Sequence, residues 1–373
     1  MSEGQNSTLI SNSENDRRDE YLAKWEIAVL TSILFVTLFG NSLVLVSLYL
    51  RRHRGRRSKS TRMHFFIMHL SIADLLTALL DVLPQLAWDI TFRFQGGQVM
   101  CKLVKFAQPL GPYLSSYVLT ATAIDRYRAI CHPLSYCGTT FGRSKLMVYS
   151  AWGLTLILCL PQAFLFSYQE IKPGVWDCWA TFTLPHSEKA YVTWYSVTVF
   201  LLPFLALVYT YSGICYEIWR SNSVSAAVEH EKTTKPMRFL GRIRNPLISK
   251  AMINTIRQTI VVISLYVISS SPFIGCQLWA TWDPAASSSF FFSGPTFTIL
   301  SLLSSLTSCV NPWIYLSFNR ELRNSLLDYF CRRDEYSLAY DRTARRSNSN
   351  ETSTGSSFIS RLSRYAGSVI FRS

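Results

Sequence analysis

The chain has 373 residues, of which 49% are apolar, 14% aromatic and only 16% charged, and its formal net charge is +14. The length would allow two soluble domains, but so apolar and charge-poor a composition argues for a membrane protein. The basic excess sits in short stretches between long apolar runs, so it reads as a topology signal and speaks against nucleic-acid binding.

The first 24 residues are polar and have no apolar core flanked by a small-residue cleavage site, so they are read as an N-terminal tail rather than a signal peptide. They contain the sequon Asn6-Ser7-Thr8, a candidate glycosylation site. Apolar stretches follow near 25–50, 64–90, 102–131, 146–167, 190–219, 253–280 and 295–318. Each supplies the roughly 20 residues a helix needs to cross a bilayer, and such runs are too long for barrel strands. The predicted fold is therefore all-α: a bundle of seven transmembrane helices over 25–318, with no internal repeat and no second domain.

Lys and Arg number seven in 51–62, seven in 220–250 and ten after 319, against one in 91–100, two in 168–189 and none in 281–294. Basic loops stay cytoplasmic, so the N-terminus is expected outside and the C-terminus inside the plasma membrane. Most of the nine cysteines fall within spans as small apolar groups. Cys101 begins the third span at its outer end and Cys178 lies in the outer loop 168–189, so these two are expected to pair.

After the seventh span, 319–333 places Leu322, Leu326 and Phe330 against Arg320, Arg323, Arg332 and Arg333, the pattern of an amphipathic helix on the lipid surface. Cys331 beside it is a candidate palmitoylation site. The segment 334–373 is rich in Ser and Thr and poor in large apolar residues, so it reads as a disordered tail open to kinases.

Polar groups inside the spans mark function by default. Asp74 lies deep in the second span, where Asn41, Ser115, Thr307, Ser308 and Asn311 could meet it. Asp74, Ser115, Ser308 and Asn311 form a candidate site for a sodium ion, the one cofactor the sequence suggests. Asn311-Pro312, Pro203 and Pro272 interrupt three spans and would allow inner ends, including Tyr315, to swing. In the outer half Gln85 and Asp89 are one turn apart, Lys105 and Gln108 lie at i, i+3, and Gln162 and Gln277 have similar depth. Side-chain amides suit the amides of a peptide, and Trp88, Trp194, Phe273 and Ile274 would add apolar area.

No enzyme is legible. His64 and His69 have the wrong spacing for one helical face and lack a third ligand, and there is no phosphate loop or Ser/His/Asp set. A transporter is the rival class, but it predicts pseudo-repeats and broken helices at matching positions, and the odd span count counts against it.

"GNSLVLV" (40–46), "LSIADLL" (70–76), Asp125-Arg126-Tyr127, Trp152, Pro203, Tyr211, Pro272 and "NPWIY" (311–315) together resemble the rhodopsin-like G-protein-coupled receptors across all seven spans. Longer strings, "VLPQLAWDITFRF" (82–94), "DCWATF" (177–182), "AYVTW" (190–194) and "CQLWATWDP" (276–284), look like the vasopressin and oxytocin receptors. The resemblance implies a cyclic nonapeptide ligand, a heterotrimeric G protein as partner, and arrestin and receptor kinases acting on the tail. It places Arg18 and Glu26 at the mouth, Gln85, Lys105, Gln108, Gln162, Phe273 and Gln277 in the pocket, and Asp89 and Arg93 at the rim. It makes Arg126, freed from Asp125, with Tyr211 and Tyr315, the lining of the G-protein cleft.

Departures from the pattern are as informative. The family has Gln where this chain has Asp81, and most receptors have Trp where Ser270 stands. Pro109 and Pro112 each remove a backbone bond from the third span beside the pocket. Such divergence fits an invertebrate branch and an altered ligand repertoire, including a different neuropeptide.

Overall fold

The computed structural model describes residues 19–53, 62–137, 141–234, 250–286, 289, 295–329 and 331. Arg18, the Asn6 sequon, most of the basic loops and the tail lie outside them. Residues up to Leu322 form one compact unit, and the chain from Arg323 is a second. In this second unit the backbone is helical at 323–329.

The first unit is a bundle of seven helices. Six are long and apolar enough to cross a membrane, beginning with the first span, Glu20–Arg52. Asp19 starts it as an N-cap, accepting from the backbone N–H groups of Tyr21 (3.0 Å) and Leu22 (3.1 Å). The second span is helical from Arg62 to Thr91 with a π-turn at Ala78–Val82. The third is split into Gly97–Ala107 and Leu110–Cys131, because Pro109 and Pro112 lack the N–H groups that would continue the ladder. Its far end carries Asp125, Arg126 and Arg128, so it is the least apolar of the seven.

Phe141–Leu165 is the fourth span. A strand pair follows where the sequence suggested only loop: β1 (Phe166–Lys172) and β2 (Val175–Ala180), antiparallel, with Phe166 opposite Ala180 and Tyr168 opposite Cys178. Gly174 turns the hairpin at φ +77°, a backbone state that costs glycine little. The fifth span runs Ser187–Ser196, a π-turn at Val197–Leu201, then Leu202–Thr234. Lys250–Trp282 and Thr296–Phe318 are the sixth and seventh.

Large apolar side chains such as Phe35, Ile157, Leu205 and Ile268 are exposed around the bundle, as helices facing lipid require. The densest packing lies toward the Asp125 end, where Val44, Phe66, Leu114, Val118, Leu207 and Tyr315 form one buried cluster. Asn41 ties the first span to the seventh by donating to the Ser308 carbonyl at 3.1 Å. The bundle is less filled toward the end that carries the Cys101–Cys178 disulfide, and a cavity opens there.

Candidate ligand site and polar core

The disulfide end of the bundle encloses a cavity of about 680 Å³. Each span presents residues to it at helical spacing. The second contributes Thr77, Asp81, Gln85 and Asp89, and the sixth Tyr266, Ser270, Phe273, Ile274 and Gln277. Glu26 enters from the first span, Lys105 and Gln108 from the third, and Gln162 from the fourth. Four glutamines from four different spans thus converge on one space, although they are far apart in sequence.

Three carboxyl groups, Glu26, Asp81 and Asp89, and one ammonium, Lys105, line the cavity. Gln85 donates from Nε2 to Asp89 Oδ1 at 3.0 Å, which fixes the amide oxygen for another donor. Lys105 Nζ stands over the rings of Trp88 (4.4 Å) and Phe166 (5.2 Å), so aromatic faces hold part of its charge. Trp88 itself lines an adjoining recess of about 290 Å³ with Asp19, Glu26 and Asp89.

The mouth is shaped by the hairpin. Cys178 on β2 is bonded to Cys101 at the start of the third span. Its neighbour Asp177 accepts from the backbone N–H of Phe94 (3.1 Å) and from Arg93 (3.5 Å), so the turn after the second span is held to the hairpin. This brings Phe166 and Trp179 to the cavity wall. Arg93, expected at the rim, is engaged by Asp177. Just past the sixth span Asp283 accepts from the Ala285 N–H and the Trp279 indole, which hold its carboxyl below its ordinary value.

Of the residues read from sequence, Trp194 does not line the cavity, but packs on Tyr191 with 6.1 Å between ring centroids. Tyr191 and Tyr195 line it instead. Sequence reading also missed Tyr266, Phe166 and Trp179. Tyr266 lies one turn before Ser270, and its hydroxyl donates to the Val199 carbonyl at 2.9 Å. Extending the 270, 273, 277 face one turn inward would have found it. Phe166 and Trp179 gave no such signal, because the hairpin positions them.

Near mid-bundle, Asn311 Nδ2 donates to both oxygens of Asp74 (3.1 and 3.4 Å), and Ser115 Oγ approaches Asp74 Oδ1 at 3.4 Å. Ser308 stands near this carboxyl, whereas Thr307 bonds Ser269. Asn311 Oδ1 is buried without a hydrogen-bond partner among the described residues.

At the far end Asp125 accepts from Arg126 (2.6 Å), Ser144 (3.1 Å) and Tyr136 (3.2 Å). Burial and the Asp125 charge push the Tyr136 phenol above its ordinary value, so it stays a donor. Arg126 Nε and Tyr315 Oη are buried without partners among the described residues. Tyr127 packs against Gly213 of the fifth span, and Tyr211 joins the apolar cluster around it. His64 contacts Arg51 and His69 accepts from the Trp152 indole at 3.2 Å, so both histidines are engaged in packing between helices.

Seven helices around a cavity at one end, with a buried, partly unsatisfied charge pair at the other, define a class: a helical membrane bundle with a ligand-sized cavity. Residues 40–315 match the 7 transmembrane receptor (rhodopsin family). The chain is 39% identical to the isotocin receptor of Catostomus commersonii over 320 residues, covering 83% of this chain and 79% of that one. It is 40% identical over 325 residues to cephalotocin receptor 1 of Octopus vulgaris (81% and 79% covered) and 41% over 320 residues to the vasopressin V2 receptor of Sus scrofa (85% and 84%). The chain belongs to the rhodopsin family of seven-transmembrane receptors, in the branch of the vasopressin and oxytocin receptors. It is a multi-pass membrane receptor and not an enzyme.

Proposed function

We propose that this receptor binds a cyclic neuropeptide of the vasopressin/oxytocin type in the 680 Å³ cavity and passes the signal to a heterotrimeric G protein at the Asp125 end. The observation that carries the reading is the convergence of Gln85, Gln108, Gln162 and Gln277 from four spans. Amides that both donate and accept match a peptide backbone, and the ring of Phe273, Trp179 and Tyr191 supplies apolar contact. The names of the relatives, receptors for isotocin, cephalotocin and vasopressin, support the same ligand class. The test is activation of the expressed chain by a panel of cyclic nonapeptides, with Gln277→Ala as the control for the site.

The peptide would favour one packing of the bundle and shift the equilibrium by its differential affinity. Arg126 and Tyr315, buried with polar atoms unsatisfied, gain most from a second packing in which they find partners. In this reading the cavity faces outside the plasma membrane with the N-terminus, and the basic loops and C-terminus face the cytoplasm. Asn6 would then be glycosylated, Cys331 palmitoylated beside inner-leaflet lipid, and the tail taken by receptor kinases and arrestin.

Asp74, Ser115, Ser308 and Asn311 would hold a sodium ion. One carboxylate with neutral oxygens suits a monovalent cation, and the unpartnered Asn311 Oδ1 is an available ligand. Raising sodium at constant ionic strength should lower agonist affinity, and Asp74→Asn should remove that dependence. A sodium effect of equal size in the variant would exclude this cluster as its source.

A further inference from the structure

Asp81 is a cavity-lining carboxyl group that no side chain hydrogen-bonds or ion-pairs among the described residues. Asp81 lies on the π-turn Ala78–Val82, one turn deeper than Gln85, and lines the cavity beside Lys105, Pro109 and Pro112. Among the described residues no hydrogen bond or ion pair within 4.0 Å reaches its carboxylate. Lys105 acts on it electrostatically, but its ammonium is drawn onto Trp88 and Phe166.

The third span adds acceptors. Pro109 and Pro112 have no N–H, so the carbonyls of Lys105 and Gln108 lose the donors that an unbroken helix would give them. Several hydroxyl donors in and beneath the cavity are committed elsewhere. Tyr266 donates to the Val199 carbonyl (2.9 Å), Tyr117 to the Thr198 carbonyl (2.9 Å), and Tyr113 pairs with Thr198 (2.7 Å). Ser269 and Thr307 bond each other, and Ser115 turns to Asp74. A half-buried carboxylate with no hydrogen-bonded side-chain partner favours a donor on what enters the cavity.

We propose that Asp81 is a specificity-determining residue that receives a cationic donor of the peptide, an ammonium or a guanidinium, at the bottom of the cavity, with the Lys105 and Gln108 carbonyls as further acceptors. A neutral peptide tip leaves these acceptors unsatisfied and is rejected. The proposal rests on the reading of the cavity as a peptide site.

The test uses the full chain in cells and a cyclic nonapeptide that activates it. Matched analogues have the N-terminal amine free or acetylated, and each Lys or Arg kept or replaced by norleucine. At the wild-type receptor, neutralising one particular group should raise the half-maximal concentration about 10- to 100-fold, the range for a lost charge-assisted hydrogen bond. In Asp81→Asn and Asp81→Gln the same neutralisation should cost less than about threefold, whereas Asp81→Glu should retain the discrimination. Using two neutral variants guards against one failing to reach the surface. Equal penalties in wild type and the neutral variants overturn the role of Asp81 and leave the peptide reading intact. Silence of every nonapeptide at a surface-expressed wild type overturns the peptide reading and this assignment with it.

Discussion

Cys101→Ser and Cys178→Ser are each expected to abolish peptide response and most surface expression. The bond joins the third span to β2 across 77 residues of sequence, and losing such a bond costs about 2–5 kcal/mol. The local consequence is larger than that figure conveys. Asp177 holds Arg93 and Phe94 only while β2 is anchored, and Phe166 and Trp179 leave the cavity wall if the hairpin drifts. Radiolabelled peptide binding to membranes and antibody staining of intact cells would measure both effects. Near-normal binding by either variant would mean that the hairpin is held in place without the disulfide.

Gly111→Ala is the second change with a large expected effect. Gly111 lies two residues after Pro109, where the third span meets the start of the π-turn in the second. A Cβ there would fall 2.6 Å from the backbone nitrogen of Thr77 and closer still to its hydroxyl oxygen. Backbone cannot move aside as a long side chain can, so the spans must part, at a cost toward the upper end of about 1–3 kcal/mol. Thr77 and Asp81 line the cavity, and the shift should therefore weaken binding as well as stability. Gly153→Ala is the control, because a Cβ there meets nothing within 4 Å. Thermal unfolding of detergent-purified protein should show a loss for Gly111→Ala and none for Gly153→Ala. Equal melting of the two would contradict this packing.

Nothing in the sequence distinguishes Gly111 from Gly153, since close approach between spans is a property of the packed bundle. Span number and polar depth are periodic properties of the chain, so the bundle, Asp74 with Asn311, and the ladder of Gln85 and Asp89 were legible. The disulfide followed from topology, since only two cysteines were placed in outer segments. The hairpin was not legible: β1 and β2 are short, interrupted by charge, and stabilised by Cys101 and by Arg93–Asp177, contacts 77 and 84 residues apart in sequence. Without it Phe166 and Trp179 could not be assigned to the cavity. Trp194 was misplaced because aromaticity alone does not tell which face of a helix points inward. Several aromatic residues crowd one helix, Ser187–Ser196, and Tyr191 and Tyr195, one turn apart, are the ones that face the cavity. Nor could the sequence show that Asp125 has three hydrogen-bond donors, because Ser144 and Tyr136 reach it from other elements.

The departures noted in the sequence also acquire physical content. Ser270 leaves room above Tyr266, so the cavity reaches a tyrosine whose hydroxyl is held by the fifth-span carbonyl of Val199. Pro109 and Pro112 break the third span beside Asp81, and the same break brings Gly111 against Thr77. Asp81, Pro109, Pro112 and Ser270 all line the cavity.

The measurement that tests the central claim most directly is a dose response of calcium and cyclic AMP in cells expressing the chain, challenged with cyclic nonapeptides and with unrelated peptides. Activation by at least one nonapeptide is expected, with Gln277→Ala raising the half-maximal concentration about tenfold at unchanged surface expression, the effect of one lost buried hydrogen bond. Silence across the nonapeptides with a response to an unrelated peptide, or an unchanged dose response in Gln277→Ala, would contradict it.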